Sequence, residues 1–363
     1  MTSRRNILKS ALTLFGTAVL TPSFSKPVST CRPAKFGIAD GDLVQCTLCP
    51  RTCMLNSGAV GLCRVRKNID NTLMTLGYSN PCAVHVDPIE KKPLYHVHPG
   101  SKAFSIAVAG CNLRCKNCQN YTISQTSPLE TRNIYLPPQQ VVKKAVDSGC
   151  TSIAYTYSEP TVWYEYMYDT AKLAREAGLK NLMITCGYIN RKPLEELCRY
   201  MDAANIDLKS FDNNIYIKLN AGTLDPVLNA IKLAHSKGMW VEITNLIIPE
   251  WTDNIDMIRS MCQWIRSTLG KDIPLHFSRF HPMYKMAHLF PTPTKTLISA
   301  KEIAKQEGLN YVYIGNVADI DSNTYCPQCK KPVILRKGYL ITGNNINNGK
   351  CRFCQTPVAG IWQ

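Results

Sequence analysis

Acidic residues are absent from both ends of this chain of 363 residues. Residues 1–30 and residues 322–363 contain Lys and Arg but no Asp or Glu, and the whole chain carries a formal net charge of +16. The segment between these ends is only mildly basic. Basic ends could contact nucleic acid, a membrane surface or an acidic partner, but a solvated surface is the simpler interpretation. We therefore do not expect nucleic acid to be the main partner.

Glycine-rich nucleotide-binding motifs are missing as well. Neither G-x-G-x-x-G nor G-x-x-x-x-G-K-[ST] follows the first apolar run of the body, residues 103–110, which argues against dinucleotide-binding and P-loop folds. From residue 104 onward, short apolar runs alternate with helix-like segments. This alternation predicts an α/β protein with parallel strands buried on both faces. A partial (β/α)6-type TIM barrel is the preferred arrangement, with functional residues at the carboxyl ends of its strands.

Residues 1–30 are predicted to be a leader rather than part of the fold. The segment Ser3–Lys9, SRRNILK, matches the twin-arginine export pattern. The apolar run that follows, Ala11–Leu20, is too short to span a bilayer, which takes about 20 residues. We expect export by a twin-arginine-type route, with membrane contact only through the leader. The alternative is a cytoplasmic protein with a disordered tail.

Cysteine, in contrast, is abundant, with 17 residues in the chain. Several of them lie only three residues apart, a spacing that suits metal chelation better than disulfide bonding. The sequence therefore predicts metal sites. Three groups stand out, namely Cys46, Cys49, Cys53 and Cys63; Cys111, Cys115 and Cys118; and Cys326, Cys329, Cys351 and Cys354.

The middle group follows the first predicted strand and has the spacing C-x3-C-x2-C. A structural zinc site normally takes four protein ligands, but the next cysteine after Cys118 is Cys150. Cysteine thiolates also hold iron–sulfur clusters. Three thiolates on a cubane cluster leave one iron free for another ligand. The spacing therefore favours an iron–sulfur cluster with one open iron.

Polar residues follow other predicted strands in the same way. Glu159 follows residues 151–157, Asp207 and Lys209 lie at the end of residues 203–208, and His281 comes just after residues 274–280. Because the carboxyl ends of barrel strands share one mouth, these side chains are expected to face the cluster. The alternative for Glu159 is a charge at the start of a helix. The alternative for His281 is an ordinary surface or core histidine.

Five stretches together carry a family resemblance, namely CTLCPRTCMLNSGAVGLCRVRKN (46–68), DPIEKKPLYH (87–96), GCNLRCKNCQNYTISQ (110–125), SEPT (158–161) and YVYIGN (311–316). They resemble the radical S-adenosylmethionine (SAM) enzyme of the AmmeMemoRadiSam system, a relative of pyruvate formate-lyase activating enzyme. The resemblance covers the chain from about residue 40 onward.

The resemblance implies a SAM-binding [4Fe-4S] cluster on Cys111, Cys115 and Cys118, and reductive cleavage of SAM to a 5′-deoxyadenosyl radical. It also implies a flavodoxin- or ferredoxin-type reductant and a protein or companion-protein substrate, such as a glycyl-radical partner. Glu159 corresponds to the acid of the family's GGE loop, with Tyr157 and Ser158 in place of the glycines. The implied SAM contacts are Asn117, Glu159, Asp207, Lys209 and His281. Asn117 takes a position that is usually aromatic and near the adenine, and Tyr121 is a candidate to compensate.

The two flanking cysteine groups predict further metal sites. The N-terminal group, Cys46, Cys49, Cys53 and Cys63, favours a zinc-stabilised turn, with a second cluster as the alternative. The C-terminal group, Cys326, Cys329, Cys351 and Cys354, favours a four-thiolate zinc ribbon, with a rubredoxin-like iron site as the alternative. The predicted organisation is a leader (1–30), a Cys-rich segment (31–95), a radical SAM core barrel (96–321) and a zinc-ribbon-like module (322–363).

Overall fold

The computed structural model describes residues 31–362. The predicted leader lies outside these residues, so export stays a prediction. Within the described part of the chain, no helix is both long enough and apolar enough to cross a membrane.

The N-terminal segment forms two small antiparallel sheets. One has the strand order β1-β6-β5 and the other has the order β2-β3-β4. The strands are β1 (Arg32–Pro33), β2 (Gly37–Asp40), β3 (Leu43–Cys46), β4 (Met54–Leu55), β5 (Arg66–Ile69) and β6 (Thr72–Thr75).

The core of the molecule is one eight-stranded sheet in which neighbours in space are neighbours in sequence. Its strands are β7 (Ala83–Pro88), β8 (Lys102–Ala107), β9 (Ser152–Tyr155), β10 (Lys180–Thr185), β11 (Ala203–Asp207), β12 (Trp240–Ile247), β13 (Leu275–Arg279) and β14 (Val312–Gly315). The strands from β8 to β14 are parallel, and β7 lies antiparallel to β8 at one edge. The predicted α/β fold with a parallel sheet is therefore confirmed.

Helices connect each parallel strand to the next. They are α1 (Tyr121–Ser124), α2 (Pro138–Asp147), α3 (Tyr164–Glu176), α4 (Arg191–Leu197), α5 (Asn213–Ile215), α6 (Leu224–Ser236), α7 (Ile255–Thr268) and α8 (Thr294–Gln306). A 3₁₀ turn, Pro160–Trp163, precedes α3, and a π-helical turn, Tyr216–Asn220, follows α5. As the sequence predicts for α2, proline is its first residue, and Gly149 with φ +65° follows its end.

The boundary predicted at residue 96 does not divide the fold. Strand β7 precedes that boundary, yet it pairs with β8 along its whole length. Apolar residues of the N-terminal segment, including Val44, Leu55 and Val65, also belong to the same buried cluster as the core sheet. The N-terminal segment is therefore packed into the core rather than set apart from it.

The C-terminal module contains β15 (Thr324–Tyr325), β16 (Pro332–Lys337), β17 (Leu340–Asn344), β18 (Ile346–Asn347) and β19 (Lys350–Cys351). Tyr95, Tyr311 and Tyr313 pack against its buried Val333 and Val358. Its Arg336 guanidinium donates a hydrogen bond of 2.7 Å to the Tyr95 carbonyl oxygen. These contacts attach the module to the core.

The backbone of Gly110 lies so close to Cys63 and Val65 that a side chain does not fit there. Gly110 has φ +111°, and a Cβ there would lie 2.7 Å from the Cys63 carbonyl oxygen and closer still to Cγ2 of Val65. We expect Gly110→Ala to lower the free energy of unfolding by roughly 3 kcal/mol or more, because a backbone clash adds to the strain of a positive φ. Urea unfolding measures the loss.

Gly149→Ala is the matched control. Gly149 also has a positive φ, but no atom lies within 4 Å of its added Cβ. Only the conformational strain then applies, which is about 1–2 kcal/mol. Equal losses for the two variants would contradict a close approach at Gly110.

Candidate active site

One cavity of about 600 Å³ lies at the carboxyl ends of the parallel strands. This size is within the usual range for small-molecule sites. Each strand from β8 to β14 contributes lining residues at or near this end, so the cavity is the common mouth that the fold prediction requires. Of the residues predicted from the sequence, it is lined by Cys111, Cys115, Asn117, Cys118, Glu159, Asp207 and Lys209.

The three cysteines lie on the loop after β8, and each sulfur has a hydrogen-bonding neighbour. The backbone N–H of Leu113 donates to Cys111 Sγ at 3.4 Å. The Nδ2 of Asn220 donates to Cys115 Sγ at 3.2 Å, and Cys118 Sγ lies 3.0 Å from the hydroxyl of Ser124. Hydrogen bonds of this kind favour the thiolate form that binds metal.

The π-helical turn holds the middle of the cysteine loop in place. The backbone N–H groups of Arg114 and Lys116 donate to the carbonyl oxygens of Asn220 and Leu219, both at 2.9 Å. The turn thus fixes the loop backbone and also supplies the Asn220 side chain that contacts Cys115. No sequence pattern predicted this turn, which falls between the predicted strand 203–208 and the helix after it.

Burial disfavours the thiolate forms of Cys111 and Cys115. Burial raises the pKa of Cys111 well above its ordinary value, and the charges of Glu159 and Cys115 raise it further. Burial likewise raises the pKa of Cys115. A bound metal therefore has to displace these protons.

The loop and the cavity wall suit a thiolate-ligated cluster. Three thiols line the same cavity, and two amide oxygens, Asn117 Oδ1 and Asn220 Oδ1, are buried without a hydrogen-bond partner within residues 31–362. Both asparagines line the cavity. Because buried polar atoms are normally paired, these oxygens are available to a bound group.

Glu159 joins the ends of two strands. Its Oε1 accepts hydrogen bonds from the Thr161 N–H at 3.1 Å and from the Thr185 hydroxyl at 2.7 Å, and its Oε2 accepts from the Cys186 N–H at 2.8 Å. Glu159 therefore caps the 3₁₀ turn, as the helix-start interpretation expects, and it also ties β9 to β10. Since each carboxylate oxygen has two lone pairs, Oε2 keeps one acceptor position.

Asp207 and Lys209 form an ion pair at the end of β11. The Nζ of Lys209 lies 2.8 Å from Asp207 Oδ2. Burial opposes the charge of Lys209, but the negative charge of Asp207 outweighs it and raises the pKa of this lysine well above its ordinary value. A cation therefore faces the cysteine loop across the cavity.

Comparison with known proteins supports the same chemistry. A family model described as the Radical SAM superfamily matches residues 105–264, which contain the cysteine loop and the ends of β9, β10 and β11. An uncharacterised protein of Methanocaldococcus jannaschii is 46% identical over 324 residues, covering 88% of this chain and 96% of that protein. The chain belongs to the radical SAM superfamily. It is therefore a radical SAM enzyme, and the family implies a [4Fe-4S] cluster and SAM.

Two more distant similarities agree with this assignment. A pyruvate formate-lyase-activating enzyme of Clostridium pasteurianum is 25% identical over 44% of this chain and 67% of its own length. The crystal structure of a radical SAM methyltransferase from Sphaerobacter thermophilus matches with a TM-score of 0.50 at 13% identity, covering 82% of this chain and 81% of that one. The second similarity shows a shared fold.

Two residues suggested for SAM binding occupy positions at or outside the cavity rim. His281 is exposed, with its Nε2 3.3 Å from the carbonyl oxygen of Asn316, which lines the cavity. Tyr121 is stacked on Tyr284, with ring centroids 4.6 Å apart, so one face of its ring is already covered. Contacts from either residue to SAM stay predictions.

A buried histidine and a buried glutamate at the cavity were not predicted from the sequence. His276 lines the cavity from β13, and its Nε2 lies 2.7 Å from Oε2 of Glu242 on β12. Burial opposes the charge of Glu242, but the hydrogen bond from His276 outweighs it and lowers the pKa of Glu242. The available signal was an ionisable residue inside each of two apolar strands, since such a residue needs a partner.

Lys92 also lines the cavity, and its buried side chain contacts Asp87 and Tyr157. Lys92 Nζ lies 2.6 Å from Asp87 Oδ2 and 4.3 Å from the ring centroid of Tyr157, whose hydroxyl donates to Asp87. Burial lowers the pKa of Lys92 to about 8. Tyr157 replaces a glycine of the family's GGE loop yet has φ +64°, which costs a non-glycine residue roughly 1–2 kcal/mol. The contacts with Asp87 and Lys92 hold it there.

The hydrogen bonds of Glu159 generate the second prediction. In Glu159→Gln, the amide NH2 replaces one carboxylate oxygen and faces either the Thr161 and Thr185 donors or the Cys186 N–H. We expect the free energy of unfolding to fall by about 1–3 kcal/mol, because a buried donor then lacks an acceptor. Chemical unfolding measures the change.

Glu176→Gln is the control for this prediction, since Glu176 is exposed at the end of α3. It should alter the free energy of unfolding by no more than about 0.5 kcal/mol. A Glu159→Gln protein as stable as this control would rule out the strand-joining role.

Proposed function

We propose that this enzyme cleaves SAM reductively at a [4Fe-4S] cluster held by Cys111, Cys115 and Cys118, and that it acts on a protein substrate. The proposal rests on one observation: the three thiols and the polar side chains at the strand ends line the same cavity. When bound, the cluster would supply the one electron that breaks the carbon–sulfur bond between the sulfonium and the 5′ carbon of SAM, giving methionine and a 5′-deoxyadenosyl radical.

The side chains around the cluster loop have distinct roles in this proposal. The free acceptor position on Glu159 Oε2 receives the methionine amino group, and a charge-assisted hydrogen bond of this kind is strong. Lys209 attracts the SAM carboxylate, while Asp207 accepts from the ribose. Asn117, with its unpaired Oδ1, takes the place beside the adenine.

Aromatic and apolar side chains near the cavity support a macromolecular substrate. Tyr339, in the turn between β16 and β17, lines the cavity and is half exposed, and the neighbouring Leu340 is exposed. The stacked pair of Tyr121 and Tyr284 lies beside the cysteine loop, where the Lys285 N–H donates to the Lys116 carbonyl oxygen. Tyrosines of this kind are enriched at protein interfaces.

The similarity to a pyruvate formate-lyase-activating enzyme supports a glycyl-radical protein as the substrate class. A companion protein of the AmmeMemoRadiSam system is the other proposed substrate, on the basis of the motifs at residues 46–68 and 87–96. In either case the electron would come from a flavodoxin- or ferredoxin-type protein.

Replacement of the three loop cysteines tests the proposal. We expect the Cys111→Ala, Cys115→Ala, Cys118→Ala protein to form no 5′-deoxyadenosine from SAM after anaerobic reconstitution with iron and sulfide, because the ligands are gone. Its iron content should fall by about four atoms per chain. Chromatography of the products and metal analysis measure both effects. Cys198→Ala, outside the three groups, should retain both properties. SAM cleavage at the wild-type rate in the triple variant would refute the proposal.

The C-terminal cysteines support a structural zinc ion. Cys326, Cys329, Cys351 and Cys354 have sulfurs that all lie within 4.8 Å of one another, with 3.5 Å between Cys326 and Cys354 and 3.7 Å between Cys329 and Cys351. A tetrahedral site with Zn–S bonds of about 2.3 Å places sulfurs about 3.8 Å apart. The spacing therefore suits one metal ion with four thiolates.

Loss of one of these thiols gives a separate prediction. Cys354 is exposed, so Cys354→Ala removes a ligand without leaving a buried void. We expect the zinc content to fall from about one atom per chain to nearly none and the melting temperature to decrease, since a small four-thiolate module depends on its metal. Metal analysis of the full-length protein shows this loss, and Cys198→Ala again serves as the control. Iron in place of zinc at these cysteines would contradict the assignment.

A further inference from the structure

The four N-terminal cysteines surround a second, smaller cavity. Cys46, Cys49, Cys53 and Cys63 all line it, together with the guanidinium-bearing residues Arg51 and Arg66. Three of the cysteines are buried and Cys53 is half buried. They come from the end of β3, the loop before β4 and the loop before β5, so two β connections bring the thiols together.

Their spacing differs from that of the C-terminal cysteines. The C-terminal sulfurs all lie within 4.8 Å of one another, as one metal ion requires. In the described part of the chain, no three of the N-terminal sulfurs are that close together, although all four line one cavity. The same holds for Cys111, Cys115 and Cys118 in the radical SAM loop. Thiolates on separate irons of a cluster lie farther apart than thiolates on a single ion, because each binds its own metal atom.

Backbone N–H groups lie near the N-terminal sulfurs. Those of Leu48 and Arg51 lie near the thiols of Cys46 and Cys49. Those of Val65 and Arg66 lie near the thiol of Cys63. Hydrogen bonds to ligating sulfurs are among the features that tune iron–sulfur clusters.

Buried positive charge accompanies these donors. The Arg66 side chain is only 1% exposed and forms an ion pair of 3.0 Å with Glu165. The positive charge of Arg66 also favours the thiolate forms of Cys46 and Cys63. Four thiolates around a cluster carry a net negative charge, and a buried guanidinium offsets part of it.

The N-terminal site adjoins the radical SAM loop. The Arg51 Nε donates to the backbone oxygen of Asn112 at 2.9 Å, and Asn112 lines the same cavity as Cys49. Asn112 directly follows Cys111. On the other side, the Cys63 carbonyl leaves no room for a side chain at Gly110. The two sets of thiols are thus separated by little more than one loop backbone.

We propose that Cys46, Cys49, Cys53 and Cys63 hold a second [4Fe-4S] cluster rather than a single zinc ion. The wide placement of four thiols around one cavity, beside the buried Arg66, the half-buried Arg51 and nearby backbone N–H groups, is the basis of this proposal. The C-terminal thiols, gathered around one point, are the internal comparison for a zinc site.

Metal counting in the full-length protein tests the proposal. The Cys111→Ala, Cys115→Ala, Cys118→Ala variant removes the radical SAM cluster and leaves the N-terminal cysteines intact. After anaerobic reconstitution with iron and sulfide in the presence of zinc, we expect about four irons, four labile sulfides and one zinc per chain. Adding Cys49→Ala and Cys63→Ala should remove the remaining iron and keep the zinc. Adding Cys198→Ala instead should leave the iron in place.

The wild-type protein provides a measurement that does not depend on a variant folding. It should contain about eight irons and one zinc per chain. About four irons with two zincs in the wild type, or no iron in the triple variant, would overturn the proposal. Because the triple variant lacks the radical SAM ligands, its iron count is independent of whether the enzyme cleaves SAM.

Discussion

In the proposed site, three thiols have to reach one cluster from a single short loop, and this requirement constrains much of the surrounding chain. Cys111, Cys115 and Cys118 begin just beyond β8, and the loop between them has no regular structure of its own. Its backbone is held by Asn220 and Leu219 from one side. On the other side, the close contact of Gly110 with Cys63 sets the position of the first thiol. The N-terminal segment and the π-helical turn therefore both serve the geometry of the loop.

Buried charge organises the rest of the cavity. Glu159 holds the ends of β9 and β10 together through Thr185 and Cys186, and Glu242 holds β12 and β13 together through His276. Each carboxylate is inside the protein, where an unpaired charge is costly. The hydrogen bonds that stabilise these charges also keep the strand ends in register around the mouth. Stability and the arrangement of the site thus depend on the same side chains.

The sequence allowed the parallel sheet and the cysteine loop to be predicted because both have strong local signals. Buried strands such as SIAY alternate with helices that begin at proline and end at glycine, and C-x3-C-x2-C lies directly after a strand. Those signals also indicated that Glu159, Asp207 and Lys209 would share one mouth. Three features were not accessible in this way, namely the π-helical turn, the packing of β7 into the core sheet and the pairing of Glu242 with His276. The π-helical turn is a rare local geometry, and the other two features depend on contacts between segments distant in sequence, which no local pattern reports.

The most direct measurement is the electron paramagnetic resonance spectrum of the reduced, anaerobically reconstituted enzyme with and without SAM. If Cys111, Cys115 and Cys118 leave one iron open to SAM in the cavity, adding SAM should change the spectrum of the wild-type protein. The same addition should leave the spectrum of the triple alanine variant unchanged. A wild-type cluster spectrum that does not respond to SAM would contradict the account of the site.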